Sequence, residues 1–560
     1  MEPAEAHLPG ERPRAAAPPA PASGAVPVVL GVDLGTTSTK VVAFDAAGSA
    51  RAAAGAGYAL REGGHGHVEL DALEVVEAAT RATADAAARA RAAGCAVVAV
   101  SFSSAMHSLI GVDAAGEPVT GLITWADTRS TDLAERLRPT ALGRRLHART
   151  GTPVHPMSPL VKLAHLRAHE PELFARTARW VQVKDLLLHR WTGEWVVDRS
   201  TASGTGLFSL TALDWDPEAL ELAGVGPAQL PLPVGVEHAR LRLSAAGAAA
   251  TGLGRGTVVV AGGGDGPMAN LGVGAVHPGV AALSIGTSGA LRVAVDRPGT
   301  DPDGRTFCYA LTDGLWTVGG AVTNGGVVLR WLTETLAPDL ASLAAELGDV
   351  PEEPLLDLAA SVPPGSEGLL MLPHLLSERA PQWSAVSRGS WVGLQRRHTR
   401  AHLVRAAVEG VCQQLALVAD SVTAAGHAVE EVRATGGFAR SAVWRQLLAD
   451  VLGRPVSYMA GGQEGSSYGA ALLGQHALGM VGDLTGGGAA VVGEVLEPDP
   501  AAAAVYARLR PVHAALADAL APTFRALREL AADPAPHPAA DPAADPAALG
   551  TAAGRGGRAH

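Results

Sequence analysis

Two aspartates, each set behind a buried-strand sequence and beside a flexible turn, carry the chemistry this sequence suggests. Asp33 follows VVLGV and precedes GTTSTK, Gly35 to Lys40. A carboxylate at a strand end, next to free backbone N–H groups, can hold a hydrated Mg²⁺ beside phosphates. Thr36, Thr37, Ser38 and Thr39 add hydroxyl donors there, and Lys40 can reach a phosphate. The same residues would also satisfy an ordinary hairpin turn. Asp265 lies in VVVAGGGDGPMANLG, with a helix expected to start near Pro267. Glycines let another group approach the backbone, and the aspartate hangs over that opening, either as a plain helix N-cap or as a base for an attacking hydroxyl. Phosphoryl transfer asks little more of a protein than such a base, a metal and aligned phosphates. Gly436–Gly437 sits between a strand and a helix, where close approach by phosphates or a nucleoside is favoured. Between Ser101 and Ser130, Met106, His107, Trp125, Asp127 and Arg129 could line a pocket for a small polar molecule.

The elements that would position these residues repeat. VVLGVDLGTTSTKVVAF, from Val28, and VAALSIGTSGALRVAV, from Val280, share one layout of apolar run, Gly-Thr turn and second strand-like run. Each reads as a β-hairpin, and its recurrence half a chain later suggests two similarly built lobes. Ser284 stands where Asp33 stood, so only the first hairpin brings a metal-associated carboxylate. CAVVAVSFSS from Cys95 and GTVVVAGGG from Gly256 read as buried strands. Ala72 to Gly94 and His402 to Ala425 read as long helices. Alternating strands and helices give an α/β protein with two lobes, and a cleft between lobes is the usual place for a ligand.

Composition narrows the classes. With 48% apolar and 18% charged residues in 560, a large core is available. A net charge of −11 with no basic stripe argues against nucleic acid as a partner. No apolar run reaches the roughly 18 residues of a membrane span, and the first residues lack a signal-peptide pattern, so a cytoplasmic location is expected. Cys95, Cys308 and Cys412 form neither a disulfide framework nor a zinc motif. Residues 1–26 and 533–560 are Pro/Ala-rich and read as disordered tails. Lysine is confined to Lys40, Lys162 and Lys184, asparagine to Asn270 and Asn324, and isoleucine to Ile110, Ile123 and Ile285. Such scarcity beside abundant Ala, Gly and Arg looks like GC-rich coding pressure. Lys or Asn retained against it suggests a particular need.

Taken together, GVDLGTTSTKVVAFD, GGGDG, SIGTSGA, GAVTNGGVVLRWL, GSWVGLQRRHTRAHLVRAAVE and TGGFARSAVWRQLLAD resemble the FGGY family of carbohydrate kinases. MSPLVKLAHL resembles that family's N-terminal signature, with His165 where Trp is usual. The resemblance implies two actin-like, hexokinase-like (ribonuclease H-like) lobes, residues 27–275 and 276–532, around a central cleft. It further implies ATP and Mg²⁺, with Asp265 as base and Asp33 as the Mg²⁺-associated carboxylate. Thr36, Thr37, Lys40, Gly286, Thr287 and Ser288 would face the phosphates, with Gly326, Gly436 and Gly437 near the nucleoside. Met106, His107, Trp125, Asp127 and Met157 would contact the acceptor. AMHSLIGVD, ITWADTRS and HPMSPLVKL are most similar to the family's gluconokinases, which implies a sugar acid as acceptor, although xylulokinases share the Met-His pair. Lys162 or Arg129 is the expected partner of the sugar acid's carboxylate. Rival readings are a kinase for another sugar or polyol, an actin-like nucleotide switch and a sugar-binding regulator. A homodimer is compatible with the sequence.

Overall fold

The structure, a computed structural model, describes residues 24–459, 465–482, 484 and 492–532. The first hairpin forms as its pattern dictates. Val26–Leu34 pairs antiparallel with Ser38–Asp45, which places Asp33 directly across from Lys40. Ala50–Gly57 extends the sheet on the far side of the hairpin, and Cys95–Ser104 runs parallel to the first strand on the other. The parallel pairing needs a crossover, supplied by the helix Ala72–Ala92. Asp71 caps it, accepting from the backbone N–H groups of Leu73 and Glu74. Val258–Val259 adds parallel to Cys95–Ser104.

The second lobe repeats this order. Gly279–Ile285 and Gly289–Val295 form the second hairpin, Leu315–Val322 and then Phe307–Thr312 extend it, and Val429–Thr435 and Val456–Met459 add in parallel on the other side. The helix Arg400–Ala424 backs this sheet, its Val404, Ala407, Val411 and Leu415 buried at helical spacing against the strands. The two lobes thus share an antiparallel hairpin flanked by an antiparallel strand and a parallel one, and the repeat read from the two Gly-Thr turns is a repeat of whole sheets.

One element crosses between the halves. The helix Gly465–Ala477 belongs to the second half of the sequence but packs on the first sheet and on the helix Asp265–Gly272. Small residues make the approach possible. A Cβ on Gly31 would lie 1.9 Å from the Ser467 carbonyl oxygen, and one on Gly469 would lie 1.9 Å from that of Met268. The first sheet is thus covered by a helix from the later part of the sequence. Among the described residues no helix is long and apolar enough to cross a membrane. The sequences assigned to disordered tails fall almost wholly outside the described residues.

Candidate active site

Both hairpin turns open onto one cleft of about 860 Å³ between the lobes. Its walls include Asp33, Gly35 and Thr36 from the first hairpin and Gly286, Thr287 and Ser288 from the second. The first turn is closed by the Gly35 N–H donating to the Ser38 carbonyl at 3.0 Å, the second by Gly286 donating to Ser288 at 2.8 Å. Asp33 is held from two directions: its oxygens accept from Ser103 Oγ at 2.7 Å and from Ser466 Oγ at 2.9 Å. Thus a strand of the first lobe and the crossing helix both aim this carboxylate at the space between the turns. A single carboxylate there is the protein donor that Mg²⁺ takes when phosphate oxygens and waters supply the rest of its shell. Gly436 (φ +115°) and Gly437 line the next part of the cleft, with Arg440, Arg445 and Tyr458. A Cβ on Gly436 would stand 2.2 Å from the Ile285 carbonyl oxygen, so glycine is required for this loop to lie against the second turn.

Asp265 stands at the start of its helix and opens into the cleft, its Oδ1 accepting from the Gly266 N–H at 2.8 Å. Gly264 holds the cap position, so Asp265 is the first helical residue and not the cap. Although its side chain is exposed to the cleft, the protein crowded around it limits hydration and raises its carboxyl pKa above the usual Asp value, against the pull of the nearby Arg292 charge. Its turn is pinned from beneath. The Gly264 N–H donates to Ser200 Oγ at 3.1 Å, and Lys184 Nζ donates to the Gly263 carbonyl at 3.3 Å while pairing with Asp198. Lys184 and Asp198 are fully buried.

Another part of the cleft is walled by Met106, His107, Trp125, Met157, Phe307 and Tyr309. His107 has φ +66°. Its Nδ1–H donates to the Gly204 carbonyl at 2.7 Å, and Nε2 faces the Tyr309 hydroxyl at 3.4 Å. Burial lowers its pKa to about 3, so the ring is neutral at physiological pH. Trp125 links this part to the first hairpin: its Nε1–H donates to Thr36 Oγ1 at 3.1 Å, and the Arg379 guanidinium lies 4.7 Å from its ring centre.

Several expected site residues lie elsewhere. Asp127 does not line the cleft. Its carboxylate accepts from the Val68 N–H at 3.0 Å and from Arg129 Nε at 2.9 Å, and so ties loops together. Arg129 is engaged with Asp127 and Glu69 and does not line the cleft either. Lys162 is buried, donating to the carbonyls of His107 and Thr124 at 2.7 Å each, which fixes the strained His107 backbone and leaves no route to a ligand carboxylate. Thr37 and Lys40 are exposed on the hairpin but outside the cleft wall. Gly326 sits behind the second turn, its N–H donating to the Gly286 carbonyl at 2.8 Å; it shapes that turn and does not face the cleft. Sequence reasoning missed Ser103, Ser466, Arg292, Phe307, Tyr309 and Arg379, all of which line the cleft or hold a group that does. The only early signal among them was RVAV after the second turn, which reads equally well as a strand with one solvent-facing arginine.

Two sheets built on the same hairpin plan line one cleft, with Asp33 beside the first hairpin turn and Asp265 at a helix start. Residues 28–272 match the N-terminal domain of the FGGY family of carbohydrate kinases, and residues 281–478 match its C-terminal domain. The chain belongs to that family. It is a carbohydrate kinase, a phosphotransferase. It is 39% identical to the gluconokinase of Bacillus subtilis (strain 168) over 458 residues, 81% of this chain and 88% of that one. It is 30% identical to the xylulose kinase of Staphylococcus epidermidis (strain RP62A) over 454 residues, again 81% and 88%. Among solved structures, a ligand-bound xylulose kinase from Lactobacillus acidophilus superposes with a TM-score of 0.84 at 34% identity, covering 90% of this chain and all of that one. The gluconate kinase from Lactobacillus acidophilus gives 0.83 at 33%, with the same coverage.

Proposed function

We propose that this kinase transfers the γ-phosphoryl group of ATP to the terminal hydroxyl of D-gluconate, giving 6-phospho-D-gluconate, with Asp265 as the general base. What carries the choice of acceptor is the contrast of 39% identity to a gluconokinase with 30% to a xylulose kinase at equal coverage. The placement of Asp265 supports its role: it opens into the cleft between the phosphate-facing turns and the Met106–His107–Tyr309 wall. There it would accept the proton of the attacking hydroxyl. Its raised pKa brings it nearer to a useful base. The Gly286–Thr287–Ser288 turn would donate to phosphate oxygens, and Asp33 would hold Mg²⁺, which, when bound, offsets the phosphate charge. The low-pKa His107 would act as a neutral hydrogen-bonding group for the acceptor. Closure of the lobes would exclude water from the reacting phosphate.

Asp265→Asn is expected to fold normally and to lose about 10²- to 10⁴-fold in kcat, the usual scale for a general base. A variant with near wild-type turnover would remove Asp265 from that role. Xylulose is the second reading, because the xylulose kinase structure superposes as well as the gluconate kinase does. A ³¹P–¹H correlation spectrum of the product formed from each acceptor distinguishes the two and gives the position of the phosphate.

A further inference from the structure

Two arginines, Arg292 and Arg379, line the cleft together with Met106, His107 and Tyr309. Arg292 lies on Gly289–Val295, two residues beyond Ala290 on the same strand face, and both line the cleft. Its cross-strand neighbour is Gly319, which has no side chain, and the residue beyond that is Phe307, so the guanidinium has room on this face and an aromatic flank. A Cβ on Gly266 would lie 2.6 Å from Arg292 Nε, so the arginine also runs against the turn that bears Asp265. The Arg292 side chain has no hydrogen-bond partner among the described residues, and Asp265 is the acidic group whose charge acts on it. Arg379 also lines the cleft; it is anchored by Nε donating to Thr323 Oγ1 at 3.3 Å, by one terminal nitrogen donating to the Val322 carbonyl at 3.1 Å and by Trp125, with Glu378 as its countercharge. Among the cleft's acceptor-end residues only Asp265 is acidic, and it is reserved for the hydroxyl.

A guanidinium cannot shed its proton, and Asp265 offsets its charge without occupying its fork; a ligand carboxylate matches that planar fork with two parallel hydrogen bonds. Position separates this arginine from the phosphates. It stands four residues along an extended strand from Ser288, on the order of 13 Å from the turn that faces the phosphoryl groups. We infer that Arg292, with Arg379 beside it, forms the subsite for the carboxylate of the sugar acid and sets the preference for an aldonate over a neutral sugar. This rests on the gluconate reading above. It replaces Lys162 and Arg129, whose donors are already used within the protein.

The test compares Arg292→Met and Arg292→Lys with the wild type in steady-state kinetics against gluconate and xylulose, and in calorimetric binding of gluconate without nucleotide. Arg292→Met is expected to raise the gluconate KM by about 30-fold or more, the scale of a lost hydrogen-bonded charge partner. KM for ATP should move less than about twofold, and the loss on xylulose should be at least tenfold smaller than on gluconate. Arg292→Lys, which keeps a point charge without the fork, should fall between; it also carries the test if the methionine variant does not fold. An unchanged gluconate KM in both variants would overturn the assignment while wild-type gluconate turnover left the proposed function standing. Equal losses on both acceptors with a raised KM for ATP would also overturn it, placing Arg292 at the phosphoryl group. A wild type that neither binds nor phosphorylates any aldonate would overturn both.

Discussion

Lys184→Met removes one half of a fully buried ion pair beneath the Asp265 turn, and its consequence can be worked from the structure. Lys184 and Asp198 are both 0% exposed. With the lysine gone, Asp198 keeps two donors, the Thr201 N–H at 2.9 Å and Thr201 Oγ1 at 2.6 Å, but no countercharge. Breaking a buried pair on one side costs about 3–5 kcal/mol, and the two remaining donors favour the lower end of that range. That is a large share of the ~5–15 kcal/mol typical of a folded protein. The Gly263 carbonyl also loses its Lys184 donor, leaving the Gly264–Ser200 bond and the strand pairing with Ser103–Ser104 to hold the turn. A shift of the base of about an ångström would lower kcat by up to ~10²-fold. Urea denaturation followed by tryptophan fluorescence and the ADP-release rate read the two effects. The double variant Lys184→Met/Asp198→Asn removes the orphaned charge and should recover at least about 1 kcal/mol of the loss. The reasoning fails if Lys184→Met is within about 1 kcal/mol of wild type, or if the double variant is no more stable than the single one.

Two other sites offer independent checks. Gly436→Ala would force a Cβ to 2.2 Å from the Ile285 carbonyl oxygen at φ +115°, so it should raise the KM for ATP at least about tenfold and lower the unfolding midpoint; wild-type values for both would mean the loop does not bear on the second turn. Burial lowers the Lys162 pKa from 10.5 to about 7, so between those pH values the unfolded chain binds a proton that the folded one does not. Stability should therefore rise with pH across that window, by up to ~1.4 kcal/mol per unit, and Lys162→Met should flatten the rise. Equal slopes in the two proteins would show that Lys162 is not the group responsible.

What could be read from the sequence is what is encoded in short stretches. Each hairpin announces itself by an apolar run, a Gly-Thr turn and a second run. Asp265 is flagged by a buried strand and three glycines, and the helix Arg400–Ala424 by its apolar spacing. What could not be read depends on contacts between distant segments. Ser103 and Ser466 meet only on Asp33, and Arg292, Tyr309 and Arg379 come from three different segments of the second lobe. Proximity in sequence also misled. Asp127, Arg129 and Lys162 stand beside pocket residues in the chain, yet their side chains turn toward loops and carbonyls behind the pocket. The scarcity of lysine pointed to positions that matter, but not to their role: Lys162 and Lys184 serve as buried ties for the backbones of His107 and Gly263, while the cation read as facing the substrate is an arginine. Nor did the small residues of GSSYGAALLG reveal that their helix would cross to the other lobe, since glycine permits close packing without specifying a partner.

The measurement that bears most directly on the central claim is a coupled ADP-release assay on the purified protein with Mg·ATP, run against gluconate, xylulose, ribulose and glycerol. The account predicts efficient turnover of gluconate, with kcat/KM at least about 100-fold above that for any neutral acceptor, the scale a charged subsite can impose. Preferred turnover of xylulose or another neutral acceptor would leave the fold and Asp265 in place but contradict the sugar-acid specificity assigned to this cleft.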